Sequence, residues 1–143
     1  MFQSCLDKQT VIKQLFASCK SKEETYQKII EIGQASPPLP AEYKIPENEV
    51  PGCQSIMHMH AYERDGKIYF EAESEALISC GLAALLTRVY SGEDAETIIK
   101  CPPDYLEDIG VSSSLSPNRA NGLYSIHLKM KQIALQSLIK HSQ

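Results

Sequence analysis

The apolar positions of this chain change their spacing several times, and each change marks an element. Val11, Ile12, Leu15, Phe16 and Cys19 recur at helical intervals and form one stripe, with Asp7 placed to cap the helix that carries it. Ser21 and Glu24 then have the spacing of a capping box, Tyr26, Ile29 and Ile30 line one face of a second helix, and Gly33 reads as its C-terminal stop. So short a link predicts that these two helices pack antiparallel. Prolines at 37, 38, 40, 46 and 51 exclude a regular helix from residues 36–51 and leave an extended connector.

From Gln54 the period falls to two. Met57, Met59 and Ala61 share one face of a strand over 54–62, and Ile56, His58, His60 and Tyr62 share the other. Asp65-Gly66 supplies a turn, and 67–73 returns through Ile68, Tyr69 and Phe70, which completes a β-hairpin. Ser74 then caps a helix over 75–90, apolar around most of its circumference and closed by Gly92. Such a helix belongs in the middle of a fold. Shorter helices are predicted over 93–100 and 102–109, broken by Pro102-Pro103, and a serine-rich loop at 112–114 follows. Ser116-Pro117 opens a terminal helix with the stripe Leu123, Ile126, Met130 and Ile133, in which Gly122 predicts the close approach of another backbone. The order predicts one α+β domain over 1–143, a small antiparallel β-sheet covered by helices on one side.

Composition narrows the function. A chain of 143 residues, 43% of them hydrophobic, can build a core without disulfides or a structural metal. Fourteen basic against eighteen acidic side chains give a net charge of -4, the wrong sign for neutralising phosphates, so no nucleic acid is expected as a partner. The longest apolar run, 82–86, is far short of the ~20 residues a membrane helix needs, and no membrane partner is expected either. Five cysteines, an odd number without any CxxC pair, read as reduced thiols in a cytoplasmic protein.

Cys53 differs from the other four in context. Cys19 and Cys80 fall on helices as small hydrophobes, Cys101 precedes two prolines in a connection, and Cys5 belongs to a frayed N-terminus. Cys53 follows Pro51-Gly52 in a loop that feeds a strand, where rigid scaffolds tend to carry reactive side chains. Gln54 and Ser55 beside it could hydrogen-bond the sulfur or pin the loop. Arg119 falls in the first turn of the last helix, where a cation opposes the helix dipole at a cost of about 0.3–1 kcal/mol, so it serves something other than helix stability. His58 and His60 invite a metal hypothesis together with Cys53, but no third ligand stands at a typical spacing and no metal site is assigned. Glu42, Glu47 and Glu49 read as a solvated acidic loop.

The segment Gly52-Cys53-Gln54-Ser55, preceded by Ile45-Pro46-Glu47-Asn48-Glu49-Val50-Pro51, resembles the signature of the SufE family of sulfur acceptors. Ile30-Glu31-Ile32-Gly33-Gln34, Glu73-Ser74-Glu75-Ala76 with Gly81-Leu82, and Leu115-Ser116-Pro117-Asn118-Arg119-Ala120-Asn121-Gly122-Leu123 agree in order, so the resemblance spans roughly residues 10–138. It implies a SufE/IscU-like fold and a role in iron–sulfur cluster assembly. Cys53 would accept persulfide sulfur from a SufS-type cysteine desulfurase and stimulate that enzyme. It would then pass the sulfur to a scaffold of the SufBCD type. Pyridoxal phosphate would belong to the desulfurase, with no cofactor on this chain. Arg119 would lie near Cys53 or on the partner-binding face, and Gly52, Gln54, Ser55 and Asn121 would belong to the binding site.

A sulfane sulfur should be sheltered between transfers, so Cys53 is expected to be mostly buried, in a loop that moves on docking. Two other readings stay open: a metal or cluster scaffold that uses Cys53 with nearby ligands, and an interaction module that only reshapes a desulfurase.

Overall fold

In a computed structural model, which describes residues 1–142, the helix that is apolar around most of its circumference becomes the axis of the molecule. The elements are α1 (Gln3–Leu15), α2 (Lys22–Ala35), β1 (Met57–Arg64), β2 (Lys67–Ser74), α3 (Leu77–Tyr90), α4 (Ala95–Lys100), α5 (Asp104–Asp108) and α6 (Pro117–His141). Gln143, the last position of the predicted domain, lies outside the described residues. Against α3 pack α2, β2, α1 and α6, and the side chains of Leu82, Leu85, Leu86, Val89 and Tyr90 are fully enclosed. The connector before β1 is extended except for two short 3₁₀ turns, Ala41–Tyr43 and Pro46–Asn48.

The hairpin forms as its alternation predicts, and Asp65 and Gly66 both take positive φ at the turn. Met57, Met59, Ile68 and Phe70 are buried on the face toward the helices, whereas His58, His60, Tyr62 and Tyr69 stand on the other. The two-stranded antiparallel sheet is thus covered on one side, the α+β arrangement expected. Its β1 strand starts at Met57, later than Gln54, because 51–56 is held as a loop.

Several local expectations give way to tertiary contacts. Helix α1 begins at Gln3, not near Asp7, and Asp7 is an exposed interior residue that accepts a hydrogen bond from Gln3. Its buried face is Cys5, Gln9, Ile12 and Phe16, while Val11 and Leu15 are exposed. Cys5 is therefore a core residue, not part of a frayed end. It lies beside Cys101, and the Gln9 amide donates to both sulfurs and to the Pro102 carbonyl. Burial, and next the neighbouring Cys101, push the Cys5 thiol up to about 12, so it is an inert core thiol.

Helices α1 and α2 do not form an antiparallel hairpin; each packs on α3 instead. Gly33 does not end α2 either, because the helix runs on to Ala35. A Cβ at Gly33 would come within 2.5 Å of the Leu77 carbonyl, and one at Gly81 would strike the Ile29 carbonyl. The two glycines let the backbones of α2 and α3 touch where they cross. Ser74 caps no helix: it ends β2, donates to the Ile56 carbonyl at 3.0 Å and accepts from the Ala76 amide, so α3 starts at Leu77. Local rules hold at Ser21, which accepts from the Glu24 amide, and at Ser116, which accepts from the Arg119 amide with Pro117 in the first turn.

Two outcomes follow from this packing. Gly81→Ala should lower the unfolding free energy measured in urea by roughly 1–3 kcal/mol or more, since the added methyl meets backbone that cannot rotate away. His127 on α6 stacks on Tyr90 with Nε2 buried and unpaired, and burial, then Lys131, lower its pKa from 6.5 to about 4. The neutral ring contributes stability that is complete above pH 6.5 and is lost as pH falls toward 4, because the unfolded chain takes up the proton first. The loss of stability between about pH 7 and about pH 5 should accordingly be smaller in His127→Phe than in the wild type.

Candidate functional site

Cys53 stands on a loop closed at both ends. At its base the Val50 amide donates to the Met57 carbonyl at 2.9 Å, and the Ile56 carbonyl accepts from the Glu75 amide and the Ser74 hydroxyl. Between these anchors the chain turns sharply at Gly52, whose φ of +85° puts it in the left-handed region. A Cβ there would also lie 2.5 Å from the Ser125 hydroxyl of α6. Any other residue would be strained at this φ and would require the Ser125 hydroxyl to turn away.

The turn sends the Cys53 side chain inward, half-buried and packed against the core, with Sγ 4.0 Å from the Gly122 carbonyl of α6. This is less enclosed than the mostly buried thiol expected. Beside the sulfur lies a cavity of about 10 Å³, close to the smallest space that holds one water-sized atom. Met57, Leu82 and Ile126 give it apolar walls, and Ser79, Arg119 and Gly122 complete it.

Arg119 reaches this cavity from the first turn of α6. Its Nη1 donates to the Ser79 hydroxyl of α3 at 2.7 Å and to the Ser55 hydroxyl of the loop at 3.2 Å. Among the described residues no carboxylate lies within ion-pair distance of it. A half-buried guanidinium bonded only to neutral hydroxyls keeps most of its charge available for an anion at the sulfur. Burial pushes the Cys53 thiol above its ordinary value of 9.0, and Arg119 acts against that rise. At neutral pH the free side chain is therefore mainly the thiol.

The structure brings together Gly52, Cys53, Ser55 and Arg119, while Gln54 is exposed at the mouth of the cavity. Asn121 is exposed on α6 and does not line it; Asn118, one turn earlier, does. Ser55 bonds Arg119, so it pins the loop. His58 and His60 occupy the face of β1 opposite Met57, where His60 stacks on Tyr43 at 3.7 Å and His58 stands across from Glu73. Among the described residues no three His, Cys, Asp or Glu side chains are arranged to hold a metal ion, and no helix is long and apolar enough to cross a membrane.

Ser79 and Ser125 were not evident as site residues from the sequence. A buried hydroxyl in the most apolar helix was the available signal for Ser79. Gly122 lacks the close approach expected of it: among the described residues, and apart from its chain neighbours and the backbone of its own helix, no atom comes within 4 Å of where its Cβ would be.

The family model SufE, described as an Fe-S metabolism associated domain, matches residues 10–134. SufE-like protein 1, chloroplastic/mitochondrial, from Arabidopsis thaliana is 33% identical over 92% of this chain, which spans only 36% of that relative. The cysteine desulfuration protein SufE of Wigglesworthia glossinidia brevipalpis is 33% identical, covering 87% of this chain and 88% of its own length. The sulfur acceptor protein CsdE of Escherichia coli K12 is 31% identical over 80% of each chain. In fold, the solution structure of a hypothetical protein from Thermus thermophilus superposes with a TM-score of 0.74 at 24% identity, covering 92% of this chain and 96% of that one. The chain belongs to the SufE family, and this membership supports a part in sulfur transfer for iron–sulfur metabolism.

The electrostatics can be checked on the thiol itself. Alkylation of Cys53 by iodoacetamide should accelerate with pH through the alkaline range. In Arg119→Gln its midpoint should move higher, because the nearby positive charge that favours the thiolate is gone. Arg119→Lys should stay nearer the wild type.

Proposed function

We propose that this protein is a sulfur acceptor in which Cys53 takes sulfane sulfur from the persulfide of a cysteine desulfurase. The Cys53 thiolate attacks the terminal sulfur of the donor's Cys–S–SH group. A new S–S bond forms to Cys53, the donor's S–S bond breaks, and the donor cysteine leaves as a thiolate, so no outside oxidant is consumed. Cys53–S–SH then passes its terminal sulfur by the same exchange to a scaffold on which iron–sulfur clusters are built. The pyridoxal phosphate that makes the persulfide belongs to the desulfurase. Reduced cytoplasmic thiols suit this chemistry, since it needs one free cysteine and no disulfide.

The observation that carries the reading is the half-buried Cys53 beside an arginine that has no carboxylate partner among the described residues. A persulfide is more acidic than a thiol, so its terminal sulfur is an anion near neutral pH, and Arg119 supplies a positive charge beside it. The loop also leaves a route for the donor. A groove on the outer side of Cys53, lined by Pro46, Glu49, Val50, Ile56 and Lys129, opens to solvent, and Ile56 is 51% exposed in it. A partner that covers this groove would bring its own cysteine to Cys53 and shut water out of the transfer. Docking there is also the natural way for the protein to stimulate the desulfurase, by clearing the product persulfide. The cluster-scaffold reading has no comparable observation in its favour.

Intact-mass measurement after incubation with a desulfurase and cysteine should show one added sulfur on the wild-type chain and none on Cys53→Ser. Stimulation of the desulfurase should be lost in the same variant. Sulfur retained on Cys53→Ser at another cysteine would overturn the assignment.

A further inference from the structure

Helix α6 carries apolar side chains on two sides. Leu123, Ile126, Met130 and Ala134 face the core, whereas Tyr124 and Leu128 stand away from it, and Tyr124 is 68% exposed. Against that exposed ring lies a cavity of about 300 Å³, set between α5 and α6. This is the lower end of the roughly 300–1,000 Å³ that small-molecule sites span, so the space suits one long side chain better than a cofactor.

Its walls are of two kinds. Leu106 and Leu123 are buried and supply apolar surface, while Asp104 and Glu107, one turn apart on α5, are exposed. Among the described residues neither carboxylate is in an ion pair, although the third acid of α5, Asp108, pairs with Lys13. The cavity holds no cation that would answer them. His127 lines it, but burial lowers its pKa to about 4 and leaves the ring neutral at pH 7, and Lys131, which acts on that ring, is not part of the lining. Apolar surface for an aliphatic stem, two free carboxylates for a charged head and a tyrosine face beside them are the surroundings in which arginine and lysine side chains are held. The chain's net charge of -4 favours a basic partner in the same sense.

The cavity also lies within reach of a protein that has come for Cys53. Asn118, Arg119 and Gly122 of α6 line the space beside the sulfur, and Lys129 lines the outer groove, whereas Leu123, Tyr124 and His127 line this cavity from the same stretch of helix. Between the two sides the helix is exposed at Asn121 and Leu128. A partner seated on that crest spans both.

We propose that the cavity between α5 and α6 is a docking pocket for a basic side chain, arginine or lysine, of the cysteine desulfurase. The inference rests on the acceptor reading and adds to it the charge that the donor presents beside the Cys53 loop. One side of α6 then holds the partner while the other meets its sulfur.

The test is the affinity for a SufS-type cysteine desulfurase, measured by calorimetry for the wild type, Asp104→Asn/Glu107→Gln, Tyr124→Ala and a control. The control, Glu42→Gln/Glu71→Gln, removes equal charge from residues that do not line the cavity. The dissociation constant should rise about tenfold in Asp104→Asn/Glu107→Gln, several-fold in Tyr124→Ala and less than about twofold in the control. Added salt should weaken the wild type more steeply than Asp104→Asn/Glu107→Gln. Loading of Cys53 by inorganic polysulfide, which needs no second protein, reports on the thiol itself in each variant. Equal weakening in the pocket variant and the control would overturn the inference, since net charge alone would account for it. Weakening in Tyr124→Ala with none in Asp104→Asn/Glu107→Gln would overturn it too, because the occupant would then be apolar. So would a parallel loss of polysulfide loading, which would place the effect at Cys53. These three results leave the acceptor reading standing wherever the desulfurase still loads the wild type. A wild-type chain that binds the desulfurase through the pocket but gains no sulfur defeats the acceptor reading alone, and one that does not bind it at all defeats both.

Discussion

A helix buried over most of its surface has little place there for a polar side chain, and that constraint gives the hydroxyl of Ser79 its importance. Helix α3 fills the centre of the molecule with leucine, valine and alanine. Ser79 is buried in it and satisfied by the Arg119 guanidinium at 2.7 Å. One bond thereby solves two problems. A buried hydroxyl obtains a charged donor, and an arginine at the unfavourable end of α6 obtains an anchor in the core. The second hydroxyl on the same guanidinium, Ser55, extends the link to the loop. The Arg119 side chain thus links the loop with Cys53 to the central helix.

The thiol and the arginine set opposing tendencies. Burial against Met57, Leu82 and Ile126 favours the neutral sulfur, whereas the uncompensated charge of Arg119 favours the anion. For the free thiol burial prevails, which lowers the share of the nucleophilic thiolate. A persulfide, as the stronger acid, meets the same surroundings with the balance displaced toward the charged form. Under the proposed acceptor role, the same surroundings would thus favour the neutral form of the empty side chain and the charged form of the loaded one.

Chemistry confined to neighbouring residues was legible in the sequence. The caps at Ser21 and Ser116, the turn at Asp65-Gly66 and the alternation of Met57 and Met59 all depend on a few adjacent positions, and all form. The Gly52-Cys53 turn and the placement of Arg119 were visible as motifs. What escaped depends on residues far along the chain. The buried face of α1 is set by Cys101, Pro102 and α5, so Cys5 is enclosed where local pattern left it at a frayed end. Gly33 and Gly122 exchange the roles that their spacing suggested: the expected stop is a crossing point, and the expected crossing point faces an open space. Glycine announces that something is unusual about a position, but only the partner across the gap says what.

The two anchors of the Cys53 loop have a mechanical consequence. The Val50–Met57 bond and the bonds to the Ile56 carbonyl fasten the ends to β1 and to the start of α3, leaving the segment between them as a tethered flap. The bonds separate that flap from the strand register that begins at Met57. For a side chain proposed to exchange an atom with other proteins, the bonds at either end mark where a moving hatch would meet its fixed frame.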